Sequence, residues 1–176
     1  MNNLVKSAHS KIFALGRTAV FTLLVPGVVA GYLPLRVIGG DGQSPRGWSY
    51  VGIMPVTIGA LIYAWTAFDF AWTGRGTPLP IDPPRRMIDR GLYRYMRNPM
   101  YVGVLLVIVG QALMWRSWQT IVYAVAVALM FGAFVVFIEE PLLRRQFGAG
   151  YSDYCARVPR WFPRVRHHHR PPTRSA

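Results

Sequence analysis

The sequence predicts an all-α integral membrane protein: four transmembrane helices, a cytoplasmic connecting segment and a C-terminal interfacial helix. Three observations predict it. First, of 176 residues 52% are hydrophobic and only 15% charged, whereas soluble domains carry about 25% charged residues. Second, the apolar residues gather into four runs, and a bilayer core of ~30 Å needs ~20 apolar helical residues. Third, 20 Lys+Arg stand against 7 Asp+Glu, and the basic residues lie between the runs instead of spreading over a soluble face. That distribution argues for the bilayer as partner and against nucleic acid. The single cysteine excludes a disulfide framework and a cysteine-based zinc site.

The elements follow in order. Residues 1–17 form an N-terminal cytoplasmic arm with Lys6, Lys11 and Arg17. Residues 18–72 hold two transmembrane helices, the first from about Thr18 to Ile38, the second from Trp48 to Trp72. Pro26, Pro34 and Pro55 would break soluble helices but are tolerated in packed membrane ones. Val28-Val29-Ala30 resembles a signal-cleavage site. The apolar run continues past it, and cleavage would put the basic segments on opposite sides, so a span is the better reading. Residues 73–163 form a core with a helical hairpin. Its third span, Pro99 to Trp115, sits at the lower edge of spanning length, and its fourth runs from Trp118 to Ile138. Residues 164–176 are a basic, loosely ordered tail. His167 to His169 within it read as part of that tail, and no metal is expected.

Charge orients the spans. Arg36, Arg46 and Arg116 lie on one side and the other basic residues on the opposite side, which places both termini in the cytoplasm. Trp48, Trp72, Trp115 and Trp118 fall where an aromatic belt belongs. The excess of Arg over Lys hints at a GC-rich bacterial genome, hence a bacterial inner membrane.

Only Arg116 and Ser117 separate the third and fourth spans. So short a link makes the two helices antiparallel neighbours. Counting outward from it, Arg94 to Asn98 come to the depth of Glu139 and Glu140, so two polar groups distant in sequence meet at one cytoplasmic rim. In the first group, Gly91 to Gly103, Asn98-Pro99 reads as N-cap and N1 of the third span. A helix opening suits an anion, and Arg97 adds a bidentate fork. Tyr93, Tyr95 and Tyr101 supply amphipathic walls, and Gly103 and Gly110 share a face that permits close helix approach. A helix start with interfacial anchors explains the same residues equally well. The second group, Glu139-Glu140-Pro141, puts carboxylates at a helix C-terminus, which prefers cations, and at the membrane edge, where charge is costly. They call for a partner. Arg94, Arg97 or Arg144 could supply it, or a cationic or polyhydroxyl ligand. Asp69 is expected to snorkel or pair with an arginine, and Cys155 to be a free thiol without a role. Phe147 to Pro163 alternates aromatic and basic residues and reads as an interfacial segment covering the rim, each Lys/Arg near an anionic leaflet contributing ~1 kcal/mol.

Arg97-Asn-Pro-Met-Tyr101-Val-Gly103, Glu139-Glu140 and the run Phe147-Gly…Tyr…Tyr…Arg-Val-Pro-Arg160 together resemble the isoprenylcysteine carboxyl methyltransferase and phospholipid methyltransferase superfamily, over about Arg85 to Pro163. The resemblance implies a membrane methyltransferase using S-adenosylmethionine, bound at the cytoplasmic rim, with a lipid or lipidated acceptor entering from the bilayer. By motif position it implies that Met87 and Ile88 touch the cofactor through backbone and that Tyr93 lines its pocket. Asn98, Pro99, Met100 and Tyr101 would hold it, and Glu139 would bind its polar or cationic part. Arg97, Glu139 and Glu140 are the implied catalytic group. Two departures stand out. The family usually carries His where this chain has Asn98, which can hydrogen-bond but cannot titrate near neutrality. The prenylcysteine branch carries Arg one turn before the glutamates, where this chain has the apolar Val135 to Ile138, leaving Arg144 or Arg160 to hold a substrate carboxylate.

The expected reaction is in-line methyl transfer governed by positioning. An amine acceptor would need Glu139 or Glu140 as base. Alternatives are a phospholipid N-methyltransferase, an NADPH-dependent membrane reductase of the kind that shares the Arg-His-Pro-like motif, and a non-catalytic four-span protein such as a transporter subunit or lipid-binding partner. A transporter predicts a charge deep in a span and internal symmetry, and the sequence shows neither. A soluble dinucleotide-type fold lacks its Gly-rich fingerprint here.

Overall fold

The computed structural model describes residues 26–69 and 90–163. Among the described residues every regular element is helical. A π-turn, Val28–Tyr32, leads into α1 (Leu33–Asp41), and a 3-10 turn, Gly47–Gly52, leads into α2 (Ile53–Asp69). A second 3-10 turn, Gly91–Arg94, precedes α3 (Pro99–Trp115). Helix α4 (Trp118–Phe134) runs through a π-turn, Val135–Glu139, into α5 (Glu140–Phe147), and α6 (Ala149–Arg157) follows. The arm, the start of the first apolar run, Trp72, Met87, Ile88 and His167 to His169 lie outside the described residues.

Two continuous helices, Gly47–Asp69 and Trp118–Phe147, are long and apolar enough to cross a membrane; Val28–Gly39 and Pro99–Trp115 are shorter apolar helices. Large apolar side chains face outward along them. Leu129 is 70% exposed and Phe137 76%, a pattern that a water-soluble surface avoids over so wide an area and a lipid-facing one requires. The inward side packs Ala30, Val104, Ile108, Ala124 and Val127 into one cluster.

The two-residue link builds the expected hairpin. Arg116 takes the left-handed conformation (φ 49°) that ends α3, and the Ser117 N–H reaches back to the Ala112 carbonyl at 3.1 Å. Ser117 then caps α4, its Oγ accepting from the Thr120 N–H at 3.1 Å and the Thr120 hydroxyl at 2.8 Å. Both side chains are fully buried. Ser117→Ala is expected to cost about 1 kcal/mol, the usual value of a lost N-cap. Thermal unfolding in detergent measures it, and an unchanged midpoint would show the cap to be idle.

The closest approach is between α2 and α3. Gly52 lies against Gly110, and Gly59 against Gly103. A Cβ at Gly103 would stand 2.8 Å from the Gly59 carbonyl oxygen and 3.0 Å from the Tyr63 nitrogen. Bare glycines on both helices let the backbones touch, the small-residue packing that membrane helices favour. The first π-turn is also accounted for. Its loosened carbonyls at Val29 and Ala30 accept from Tyr123 Oη at 2.7 Å and Gln111 Nε2 at 2.6 Å. Backbone groups away from water need such partners.

Candidate functional site

The site begins where α2 ends. Gly91 has φ +57°, and a Cβ there would run into the Asp69 carboxylate. Only glycine combines that backbone with that approach. Asp69 accepts from Trp65 Nε1 at 3.1 Å. The 3-10 turn after Gly91 carries Tyr93 inward, and its carbonyl accepts from Tyr154 Oη at 2.7 Å. Burial pushes the Tyr93 phenol well above its ordinary range, with the charge of Glu139 next and Tyr154, Asp69 and Tyr63 adding to it.

Asn98 occupies the N-cap position of α3 with Pro99 at N1, as the dipeptide suggested. Its side chain does not cap the helix. Instead Asn98 N–H and Nδ2 both donate to the Arg160 carbonyl at 3.2 Å, and the Arg97 N–H donates to the Pro159 carbonyl at 2.9 Å. The chain after α6 thus lies as a strap across the opening of α3. Those carbonyls take the Arg97 N–H and both Asn98 donors, just ahead of the first turn of the helix.

The glutamates diverge. The fourth apolar helix does not end at Ile138, as its sequence suggested. The π-turn over Val135–Glu139 admits Pro141 near the start of α5, because the wider turn absorbs a residue without an N–H. The glutamates therefore stand inside a continuing helix, and the argument from an unfavourable C-terminal dipole does not apply. Glu139 Oε2 accepts from Tyr101 Oη at 3.0 Å, and the Tyr101 ring packs on Phe131 with centroids 4.6 Å apart. Glu140 is the hub of an ion-pair cluster. Its Oε1 accepts from Arg97 Nη1 at 2.9 Å and Arg160 Nε at 2.7 Å, and its Oε2 from Arg160 Nη2 at 3.0 Å. The Glu140 side chain is 6% exposed and Arg97 12%, whereas Arg160 is 43% exposed. The hydrogen bonds from Arg160 hold the Glu140 carboxyl below the usual carboxylate range, with the charges of Arg97, Arg160 and Arg144 assisting against burial.

Arg97 Nη1 also donates to Cys155 Sγ at 3.0 Å, and Arg97 Nε is buried without a hydrogen bond among the described residues. Arg144 lies over the Tyr151 ring at 5.9 Å from its centroid. Tyr93, Arg97, Asn98, Pro99, Tyr101, Glu139, Glu140 and Arg160 thus come together, with Met100 in the first turn of α3. Sequence reasoning missed Phe131, Tyr154, Gly91 and the contact of Cys155 with Arg97. Only Gly91 carried a usable signal, a glycine opening a polar turn. Among the described residues no three His, Cys, Asp or Glu gather to hold a metal ion.

The sequence profile of phospholipid methyltransferases matches residues 48–150, more than half the chain. The match begins in the 3-10 turn that leads into α2, well upstream of Arg85. A probable protein-S-isoprenylcysteine O-methyltransferase of Oryza sativa subsp. japonica is 30% identical over 115 residues, covering 62% of this chain and 58% of the relative. Protein-S-isoprenylcysteine O-methyltransferase B of Arabidopsis thaliana is 35% identical over 81 residues, 46% of this chain and 41% of that one. The nickel-cobalt-cadmium resistance protein NccN of Alcaligenes xylosoxydans xylosoxydans is 31% identical over 144 residues, 78% of this chain and 62% of that protein. The chain thus spans less than two thirds of the length of these curated relatives. With the profile covering the hairpin and both glutamates, the chain belongs to the phospholipid methyltransferase family.

Proposed function

We propose that the protein is an integral membrane methyltransferase that moves the methyl group of S-adenosylmethionine to a lipid or lipidated acceptor. It would cross a bacterial inner membrane four times with both termini in the cytoplasm, as the distribution of basic residues favours. The observation that carries the reading is the pairing of Tyr101 with Glu139 at one helix rim, beside an anchored ion-pair cluster.

The residues present fit the cofactor. A carboxylate held by one phenol suits an amine, a sulfonium or ribose hydroxyls. The flat tyrosine walls suit an adenine ring. Tyr93, Tyr101 and Glu139 would hold the donor, with Asn98, Pro99 and Met100 shaping the floor. When bound, the cofactor supplies an electrophilic methyl group. The chain's own work is orientation: keeping an acceptor atom ~3–3.5 Å from the methyl carbon, in line, in a water-poor pocket. Glu140 is already paired to two guanidinium groups, so Glu139 is the group left to take a proton from an acceptor.

The same pairing bears on the acceptor. A carboxylate acceptor needs an arginine to hold it. Arg97 and Arg160 are engaged by Glu140, Arg144 lies on Tyr151, and Val135 to Ile138 are apolar. This favours an amine-bearing lipid over a prenylcysteine carboxylate.

Calorimetry with S-adenosylhomocysteine on the purified full chain tests the cofactor reading. Wild type is expected to bind, and Glu139→Ala to lose the signal. Absence of binding by wild type overturns the proposal, and binding of NADPH in its place would point to the reductase. A labelled-methyl assay on membranes then separates acceptors, because methyl esters release methanol in alkali and N-methyl groups do not.

A further inference from the structure

Tyr154 of α6 and the strap after it contact the segment from Tyr93 to Asn98, and one side chain fastens the strap. Tyr154 Oη donates to the Tyr93 carbonyl, Arg97 N–H to Pro159, and Asn98 N–H and Nδ2 to Arg160. The Arg160 side chain closes the loop by gripping both oxygens of Glu140, whose other partner is Arg97. Backbone bonds and ion pairs thus join three pieces of chain: the strap, the segment from Tyr93 to Asn98 and the start of α5. Glu140 is rooted in the long α4–α5 helix next to Glu139, so the grip also fixes the strap relative to the carboxylate proposed to hold the donor.

We propose that Arg160 is a positioning residue. Through its two-point grip on Glu140 it clasps the strap over the opening of α3 and holds Tyr93 and Asn98 in register with Glu139. Its work is done from outside the donor pocket, on the cytoplasmic side, and it takes no part in holding a substrate carboxylate. The inference rests on the methyltransferase reading for what is positioned, and on geometry alone for the clasp.

The chain contains its own reporter. Cys155, the single cysteine, is half-buried and takes a hydrogen bond from Arg97, the other guanidinium partner of Glu140. Its rate of modification by N-ethylmaleimide in detergent-solubilised full chain therefore reports opening of the clasp. Arg160→Gln is expected to raise that rate and weaken S-adenosylhomocysteine binding, each about tenfold, the scale of one lost charge-assisted contact. Arg160→Lys keeps the charge without the planar fork and is expected to recover part of both. Arg157→Gln removes an exposed arginine bonded only locally to the Asp153 carbonyl and is expected to match wild type. If Arg160→Gln fails to accumulate, Tyr154→Phe, which removes the bond to the Tyr93 carbonyl, is expected to raise the labelling rate in the same direction.

An unchanged labelling rate in the substituted proteins would overturn the clasp. Faster labelling with unchanged ligand affinity would overturn the positioning role. If wild type fails to bind S-adenosylhomocysteine, the methyltransferase reading falls, and the labelling contrast still decides whether Arg160 fastens the strap.

Discussion

Replacing Glu140 by alanine is expected to be the most destabilising single change at the site, costing about 3–5 kcal/mol, the range for breaking a buried ion pair from one side. The reason is what stays behind. Arg97 is 12% exposed, and its Nε lacks a hydrogen bond among the described residues. Without Glu140 its positive charge would be held away from water facing the uncharged Cys155 thiol and Tyr151 phenol. Arg160, 43% exposed, would turn to solvent at little cost. Folding stability totals only about 5–15 kcal/mol, so the variant should show a sharply lowered unfolding temperature in detergent, or fail to accumulate. Arg97→Met combined with Glu140→Leu should recover much of the loss, because an apolar pair of similar volume often replaces a buried ion pair without penalty. If alanine alone leaves the midpoint unchanged, the cluster contributes nothing to the fold.

Acidity offers a second measure of the same cluster. The Glu140 carboxyl is held below its ordinary range by Arg160 and then by the other arginines. A carboxylate stabilised in the folded state releases protons on folding. Its contribution is complete above the unfolded carboxylate range and fades as pH falls through the lowered folded value. Wild type should lose stability on that acid side, and Glu140→Gln should show a flatter profile there.

The parts of this architecture readable in advance were those fixed by local length and charge. A two-residue link admits only an antiparallel hairpin, and counting equal helical rises from it brings Arg97 and Glu140 to one depth, where they pair at 2.9 Å. Other features depend on tertiary partners. The partner choice of Asn98 was open because an amide can accept from its own helix or donate to a distant carbonyl. The strap decides between them, and it lies sixty-two residues downstream. Arg160 as the second partner of Glu140 was hidden for the same reason. The π-turn before Glu140 left only Pro141 as a trace, and a proline there reads equally well as a helix stop. The glycines of α3 were read as a close-approach face. That the opposing face belongs to α2, with Gly52 and Gly59 in matching register, needed both helices in place.

That register supports the other large expected effect, in which Gly103→Leu separates helix packing from chemistry. Even a methyl group at Gly103 meets the Gly59 carbonyl oxygen at 2.8 Å, a backbone atom that cannot turn aside. Leucine adds three more carbons in the same direction. Overpacking of this kind costs about 1–3 kcal/mol and occasionally more, and the relief available is to push α2 away from α3. The two helices carry different halves of the site: the Asp69 end of α2 abuts Gly91, where the turn bearing Tyr93 begins, while Tyr101 in the first turn of α3 holds Glu139. Parting them misplaces Tyr93 against Glu139, and a displacement near 1 Å can cost on the order of 100-fold in rate. Gly103→Leu is therefore expected to lower the unfolding temperature and to reduce methyl transfer by about that factor, even in the fraction that remains folded. Gly132→Ala supplies the comparison. Among the described residues beyond its own stretch of helix, no atom lies within 4 Å of a Cβ at that position, so alanine should stabilise α4 by roughly 0.5–1 kcal/mol and leave activity alone. Equal behaviour of the two variants would mean that the α2–α3 contact neither limits the fold nor aligns the site.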